Sequence, residues 1–226
     1  SEATRAENVA PKPYDLEAHY QELEQKITAA GIPADLGRVR AAFECADRAH
    51  SGQKRRDGSP YVSHCIAAAI ITAEMGLDED SIIAALLHDC TKKLDMDEQL
   101  ALCKKYHIPL DELERKALKL LHSKTGAAIA RDVFAVDDDV YNAIMYHTTG
   151  KPDMTLLEKI IYLADYIEPT RDFPGVEALR RTVYEDLDRG LLMGLTMTID
   201  EMEEMGNPVH YMTRDARDYL MKRGIS

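Results

Sequence analysis

The sequence has no Cys-X-X-Cys pair, no apolar run of the roughly 18 residues that a membrane span needs, and too little positive charge to coat a polyanion. Lys and Arg number 28 against 40 Asp and Glu, a formal charge of −12, whereas a broad nucleic-acid-binding face is basic. Nucleic acid and membrane are therefore excluded as partners, and an anionic substrate would need local countercharge from metal ions or a few clustered Lys and Arg. The four cysteines, Cys45, Cys65, Cys90 and Cys103, lack the spacing of a secreted scaffold and read as reduced thiols, so a cytoplasmic protein is expected. Strand alternation, internal repeats and low-complexity runs are missing too.

What remains is a soluble composition, 45% apolar and 30% charged over 226 residues, enough to bury a substantial core. Nearly every periodic segment has helical spacing. Helices are expected at 15–30, 37–50, about 61–75, 80–90, 96–106, 110–121, 124–134, 137–147, 155–168, 176–204 and 213–222, with Pro and Gly as breakers between them. The fold class is all-α: a helical bundle over 61–226, preceded by a helical extension and basic loop at 14–60. Residues 1–13, "SEATRAENVAPKP", read as a loose tail or cloning remnant.

The most apolar of these segments, "IIAALLHDCTKK", runs from Ile82 to Lys93 and ends in a His-Asp pair followed by lysines. Other potential metal ligands share that placement within or at the end of apolar helical stretches. They are His64 in "PYVSHCIAAAII", His122 in "LKLLHSKTGAAIA", His147 in "NAIMYHTTG" and Asp165 in "EKIIYLADYIEP". Any one histidine alone reads as a hydrogen-bonded core residue. Asp165 is harder to explain that way, because apolar residues surround it and its i−4 and i+4 neighbours are Ile161 and Pro169. A buried carboxylate demands something positive against it. Four imidazoles with two carboxylates, His64, His88, Asp89, His122, His147 and Asp165, form a nitrogen/oxygen set suited to iron, manganese or a similar divalent ion.

The order His, His-Asp, Asp at helix ends resembles the HD-domain phosphohydrolases, an all-helical superfamily of metal-dependent phosphate-ester and anhydride hydrolases. Residues from about 64 to 222 resemble in particular the YqeK family of symmetrical dinucleoside-tetraphosphate hydrolases. The strings that carry this are "HDCTK", "LLHSKTGA", "IMYHTTGKPDMTLLEKIIYLADYIEPTRDFPGV" and "NPVHYMTRDARDYL". The resemblance implies two divalent metal ions, expected to be iron, with manganese or another divalent ion as an alternative. His64, His88, Asp89 and Asp165 would hold one, and Asp89 would bridge to a second held also by His122 and His147. It also implies a nucleotide substrate. A different resemblance covers 39–89, which is closer to the hydrolase domain of RelA/SpoT enzymes, where the loop matching Gln53-Lys54-Arg55-Arg56 helps hold a guanine nucleotide. Those enzymes follow their His-Asp pair with two hydrophobic residues and Glu-Asp; this chain has Cys90-Thr91-Lys92-Lys93, with the lysine of the YqeK pattern.

Symmetrical cleavage of diadenosine tetraphosphate or a related dinucleotide into two nucleoside diphosphates, through a metal-activated hydroxide, is accordingly the expected activity. The alternatives are (p)ppGpp pyrophosphohydrolysis and a nucleotide-binding regulatory module without turnover. Asp89 and Lys92 are the expected catalytic residues, Lys92 stabilising charge on the leaving nucleotide. Thr148, Thr149, Gly150 and Lys151 form a turn that could offer donors to phosphate, or an ordinary Gly-Pro loop. Arg171 could grip phosphate in a bidentate manner or pair on the surface with Asp172 or Glu168. Arg55 and Arg56 join the substrate set through the RelA/SpoT resemblance; their alternative is a solvated basic loop. His19, His50, His107 and His210 read as structural or surface residues. Cys65 and Cys90, each beside a presumed ligand, read as packing. A homodimer is possible, since an amphipathic helix packs as readily between chains as within one.

Overall fold

The computed structural model describes residues 12–226, so nearly all of the expected tail at 1–13 lies outside the described residues. Among them the chain forms eleven α-helices and one 3₁₀ turn. A single bridge between Lys54 and Pro60 is the only β-pairing found there. None of the helices is long and apolar enough to cross a membrane.

Two helices form the centre. In α3 (Val62–Glu74) every residue from Val62 to Ala73 is buried, and in α4 (Glu79–Leu87) every residue from Ser81 to Leu87 is. A helix that is apolar all round has no solvent face and must be enclosed. Part of the enclosure is the N-terminal extension: α1 (Leu16–Ala29) packs on α3 and α2 (Leu36–Ala49) on α4. Tyr20, Leu23, Ile27, Val39, Ala42, Phe43 and Ala46 enter the same buried core as Ile66 and Ile83.

The remaining walls are α6 (Leu118–Phe134), α7 (Asp138–Met145) and α8 (Leu156–Ile167), with α5 (Met96–Lys105) outside α6. Beyond α8 lie α9 (Val176–Glu185), α10 (Leu187–Glu204) and α11 (Tyr211–Lys222).

Three expectations differ from the structure. The helix expected at 110–121 shrinks to a 3₁₀ turn at Glu114–Lys116, where the Glu114 carboxylate turns to Lys124 at 2.8 Å. Gly126 does not break the chain, and α6 runs through it. The helix expected at 176–204 splits at Asp186, whose extended backbone ends α9 and whose carboxylate caps α10 through the Arg189 N–H. The split lets Gly190 press on α9 so closely that a Cβ there would lie 2.7 Å from the Val183 Cα.

Candidate metal centre

The structure brings all six expected ligands to one place, from five different stretches of chain. His64 lies in the first turn of α3, and Asp165 near the end of α8. His88 caps the C-terminus of α4, and Asp89 follows in a run of tight turns. His122 lies in α6, and His147 two residues after α7. His64, His88, His122 and His147 are at most 4% exposed and Asp89 is fully buried.

Asp89 is the hub. Its Oδ1 lies 3.0 Å from His122 Nε2 and 3.3 Å from His147 Nε2. Its Oδ2 lies 3.6 Å from the Nε2 atoms of both His64 and His88. The donors thus fall into two groups, His64–His88–Asp89–Asp165 and Asp89–His122–His147, with each group's ligand atoms within 4.8 Å of one another. One carboxylate serves both.

The hydrogen bonds behind the imidazoles show that these atoms fit a cation. His88 Nδ1 donates to the Ala85 carbonyl and His147 Nδ1 to the Ile144 carbonyl, each at 2.6 Å. A carbonyl only accepts, so the proton is on Nδ1, and the Nε2 lone pair points inward. Those lone pairs meet acceptors: Asp165 Oδ1 is 3.2 Å from His88 Nε2, and Asp89 Oδ1 3.3 Å from His147 Nε2. Acceptors crowded against acceptors in a dry site repel unless a positive charge lies between them. Clustered His and Asp of this kind bind divalent metal.

Burial pushes the Asp89 carboxyl up, but the surrounding imidazoles of His88, His122 and His147 and the Lys92 ammonium outweigh it and hold the group well below the usual carboxylate range. Burial likewise raises Asp165, and the contacts of His64 and His88 bring it well below the usual range. Both are anionic. The Lys92 ammonium is 3.1 Å from Asp89 Oδ2; burial lowers its pKa, but Asp89 and Asp165 more than reverse that, so it remains a cation. Burial drives the Cys65 and Cys90 thiols upward, which leaves them protonated packing residues rather than thiolate ligands.

Of the expected substrate residues, Lys92 and Arg171 border the centre directly. Arg171 donates from Nε to the Asp165 carbonyl and from Nη2 to Asp165 Oδ1, at 3.0 and 3.2 Å. It is the local cation that the i±4 neighbours of Asp165 did not offer. Thr148 follows His147 and bonds Ser123 Oγ at 3.2 Å. Thr149 is buried and donates to the Gly150 carbonyl, while Gly150 (φ 67°) packs on Leu195 and Ala216. Lys151 pairs with Glu158 at 3.3 Å and lines a cavity of about 110 Å³ with Tyr219 and Arg223. Arg56 is exposed, whereas Arg55 reaches Glu168 at 2.7 Å.

Two residues at the centre are absent from the expected set. Tyr61 donates its hydroxyl to Asp89 Oδ2 at 2.8 Å. Glu168, fully buried, has Oε1 3.3 Å from His64 Nδ1. Each is three residues from a ligand, so helical spacing was the available signal. A third group, Asp111, Glu114 and His210, lies apart from the centre. His210 Nδ1 accepts the Met212 N–H as the cap of α11, so Nε2 carries the proton and donates to Asp111 at 3.2 Å. That leaves no imidazole lone pair for a metal.

An all-helical bundle closed around a His, His-Asp, Asp set defines the HD-domain class, and the family model described as "HD domain" matches residues 61–170. A relative from Halalkalibacterium halodurans, named "Bis(5'-nucleosyl)-tetraphosphatase, symmetrical", is 40% identical over 129 residues, covering 57% of this chain and 68% of its own. The chain belongs to the HD-domain family of symmetrical bis(5'-nucleosyl)-tetraphosphatases. A solved structure from Clostridium acetobutylicum, titled a predicted HD superfamily hydrolase involved in NAD metabolism, matches with a TM-score of 0.72 at 37% identity, covering 81% of this chain and 97% of that one. A shorter match, 48% identical over 56 residues, is to the bifunctional (p)ppGpp synthase/hydrolase RelA of Mycobacterium tuberculosis; it covers 25% of this chain and 8% of that protein.

Proposed function

We propose that the chain hydrolyses dinucleoside tetraphosphates symmetrically, releasing two nucleoside diphosphates, at a centre of two divalent ions, preferably iron. The observation that carries this is the division of the Asp89 carboxylate, one oxygen toward His122 and His147 and the other toward His64 and His88. The names of the relatives supply the substrate class. His64, His88, Asp89 and Asp165 would hold one ion, and Asp89, His122 and His147 the other. When bound, a pair of divalent ions supplies Lewis acidity to phosphoryl oxygens and lowers the pKa of water.

The chain's own groups do the rest. Asp89 keeps both donor groups in one frame, and Tyr61 fixes the rotation of its carboxylate. Lys92, with a third of its side chain exposed, offers its ammonium to the negative charge that grows on the departing nucleoside diphosphate. Arg171, equally exposed, orients Asp165 and turns its remaining donors to the inner phosphates. Thr148 adds a hydroxyl beside His147. Held in line, the two phosphoryl halves need little further chemistry from the protein.

The test is product analysis by anion exchange, with iron- or manganese-loaded protein and diadenosine tetraphosphate. ADP as sole product is expected; ATP with AMP would mean asymmetric attack and refute the proposal. The RelA match supports a second reading, pyrophosphate release from (p)ppGpp. Two lysines stand where RelA/SpoT enzymes place their acidic pair, so ppGpp is expected to be the poorer substrate in a parallel assay.

A further inference from the structure

We infer that Arg55 is a positioning residue of the metal centre: it acts through Glu168 on His64, so the basic loop before α3 holds a ligand and not the nucleotide. This rests on the reading that His64 binds metal.

Arg55 is built into a closed turn. Its N–H donates to the Ser59 carbonyl at 2.9 Å, its carbonyl accepts from Gly58 at 3.0 Å, and Asp57 Oδ1 accepts from both the N–H and the hydroxyl of Ser59. Tyr61 N–H donates back to the Gln53 carbonyl, so the turn delivers the chain into α3 in a fixed register. From that turn the guanidinium reaches inward, 13% exposed, and donates through Nη2 to Glu168 Oε1 at 2.7 Å. Arg56 and Lys54, its sequence neighbours, are exposed.

Glu168 lies between Arg55 and the ligand. The oxygen that accepts from Arg55 is also 3.3 Å from His64 Nδ1. The other oxygen accepts the Thr170 N–H at 2.9 Å, and the Thr170 hydroxyl lies within 2.9 Å of both. Arg180 fixes the backbone here, donating to the carbonyls of Ile167, Glu168 and Arg171, each at 2.8 Å. At 3.3 Å the carboxylate is in charge contact with Nδ1 but outside hydrogen-bond geometry, and its negative charge favours the proton on that nitrogen, which leaves Nε2 basic toward the metal. A fully buried carboxylate can do so only while a cation stays against it. Arg171 Nε, at 3.9 Å, is too distant to replace Arg55. The Arg55–Glu168 pair spans 113 residues of sequence, so the segment before α3 is coupled to the metal centre by this ion pair as well as by the Tyr61 hydroxyl on Asp89.

The test is Mn²⁺ titration of the metal-stripped full chain by calorimetry, beside steady-state kinetics on diadenosine tetraphosphate at saturating Mn²⁺. Arg55→Gln and Glu168→Gln should each weaken Mn²⁺ binding roughly 10–100-fold, as loss of a partner behind a metal-bound imidazole does. The double variant should be no worse than the poorer single one, because both break the same link. Arg55→Lys should recover part of the affinity, Lys54→Gln should leave it unchanged, and excess Mn²⁺ should restore turnover to Arg55→Gln at unaltered KM. Unchanged Mn²⁺ affinity with a several-fold higher KM would overturn the inference and return Arg55 to the substrate. Should Arg55→Gln fail to fold, Glu168→Gln, which keeps the side chain's shape, carries the same comparison. Failure of the wild-type chain itself to bind Mn²⁺ is a separate result, and it would bring down the metal reading first.

Discussion

Asp89 and Lys92 are three residues apart and oppositely charged, and they should fail in different ways. Asp89→Asn removes the one carboxylate charge that both donor groups share. It should reduce Mn²⁺ stoichiometry in calorimetry and cut hydrolysis by at least about 100-fold, in keeping with loss of both roles of a paired-metal site. Lys92→Met should retain the metal and lose about 10²–10³ in kcat, the range for removing one donor aimed at developing charge. The clustering donors could be picked out in the sequence because each is a polar residue interrupting or ending an apolar helical run. Glu168 and Tyr61 offered only their three-residue spacing from Asp165 and His64, because the partners that give them meaning lie far away: Arg55 is 113 residues from Glu168, and Asp89 28 from Tyr61. Arg171 was noticed for phosphate, yet its hold on Asp165 depends on how the chain turns after Pro169, which spacing does not encode.

At the scale of the helix, two glycines offer opposite outcomes. Gly126 lies within α6, and a Cβ there would make ordinary contacts, 3.5 Å from the His88 carbonyl oxygen and 3.6 Å from Thr91 Oγ1. Gly126→Ala should therefore stabilise the protein by about 0.5–1 kcal/mol through helix propensity and a stiffer unfolded chain, raising Tm by a few degrees. A Cβ on Gly190 would lie 2.6 Å from the Val183 side chain and 2.7 Å from its Cα. Gly190→Ala should cost about 1–3 kcal/mol as α9 and α10 are forced apart. Differential scanning calorimetry of both variants decides. Reading glycines as breakers misplaces Gly126, since a glycine ends a helix or permits a close crossing according to what packs on it. Asp186 shows the converse: neither Gly nor Pro marks it, yet it divides two helices. Asp15, Asp35, Asp78, Asp95 and Asp137 also cap helices, so part of the acidic excess serves helix starts rather than the site.

For the molecule as a whole, helical periodicity gave the class and most helix positions, because each amphipathic face is written locally. The seating of α1 and α2 was not legible: an apolar stripe states that it will be buried, not against which helix. In the structure Tyr20, Leu23, Val39 and Phe43 cover the central pair α3 and α4. A chain beginning at residue 61 should consequently lose cooperative unfolding, because α3 and α4 would expose apolar faces on more than one side. Circular dichroism melts of the truncated and full chains would show it; an equally sharp transition in both would make the extension dispensable.

The six clustered donors come from stretches as far apart as His64 and Asp165, 101 residues along the chain. Cations gripped by these donor groups would fasten α3, α4, α6, α7 and α8 as rivets fasten plates, binding only where the plates already meet. At 100 times its dissociation constant such a cation adds about 2.7 kcal/mol to folding, on the order of 5–10 °C in Tm for a chain of this size. Scarcity of metal would then act on the protein's lifetime as well as on its chemistry: chains emptied of their rivet open more often, are cleared sooner, and leave the dinucleotide pool uncut for two reasons at once.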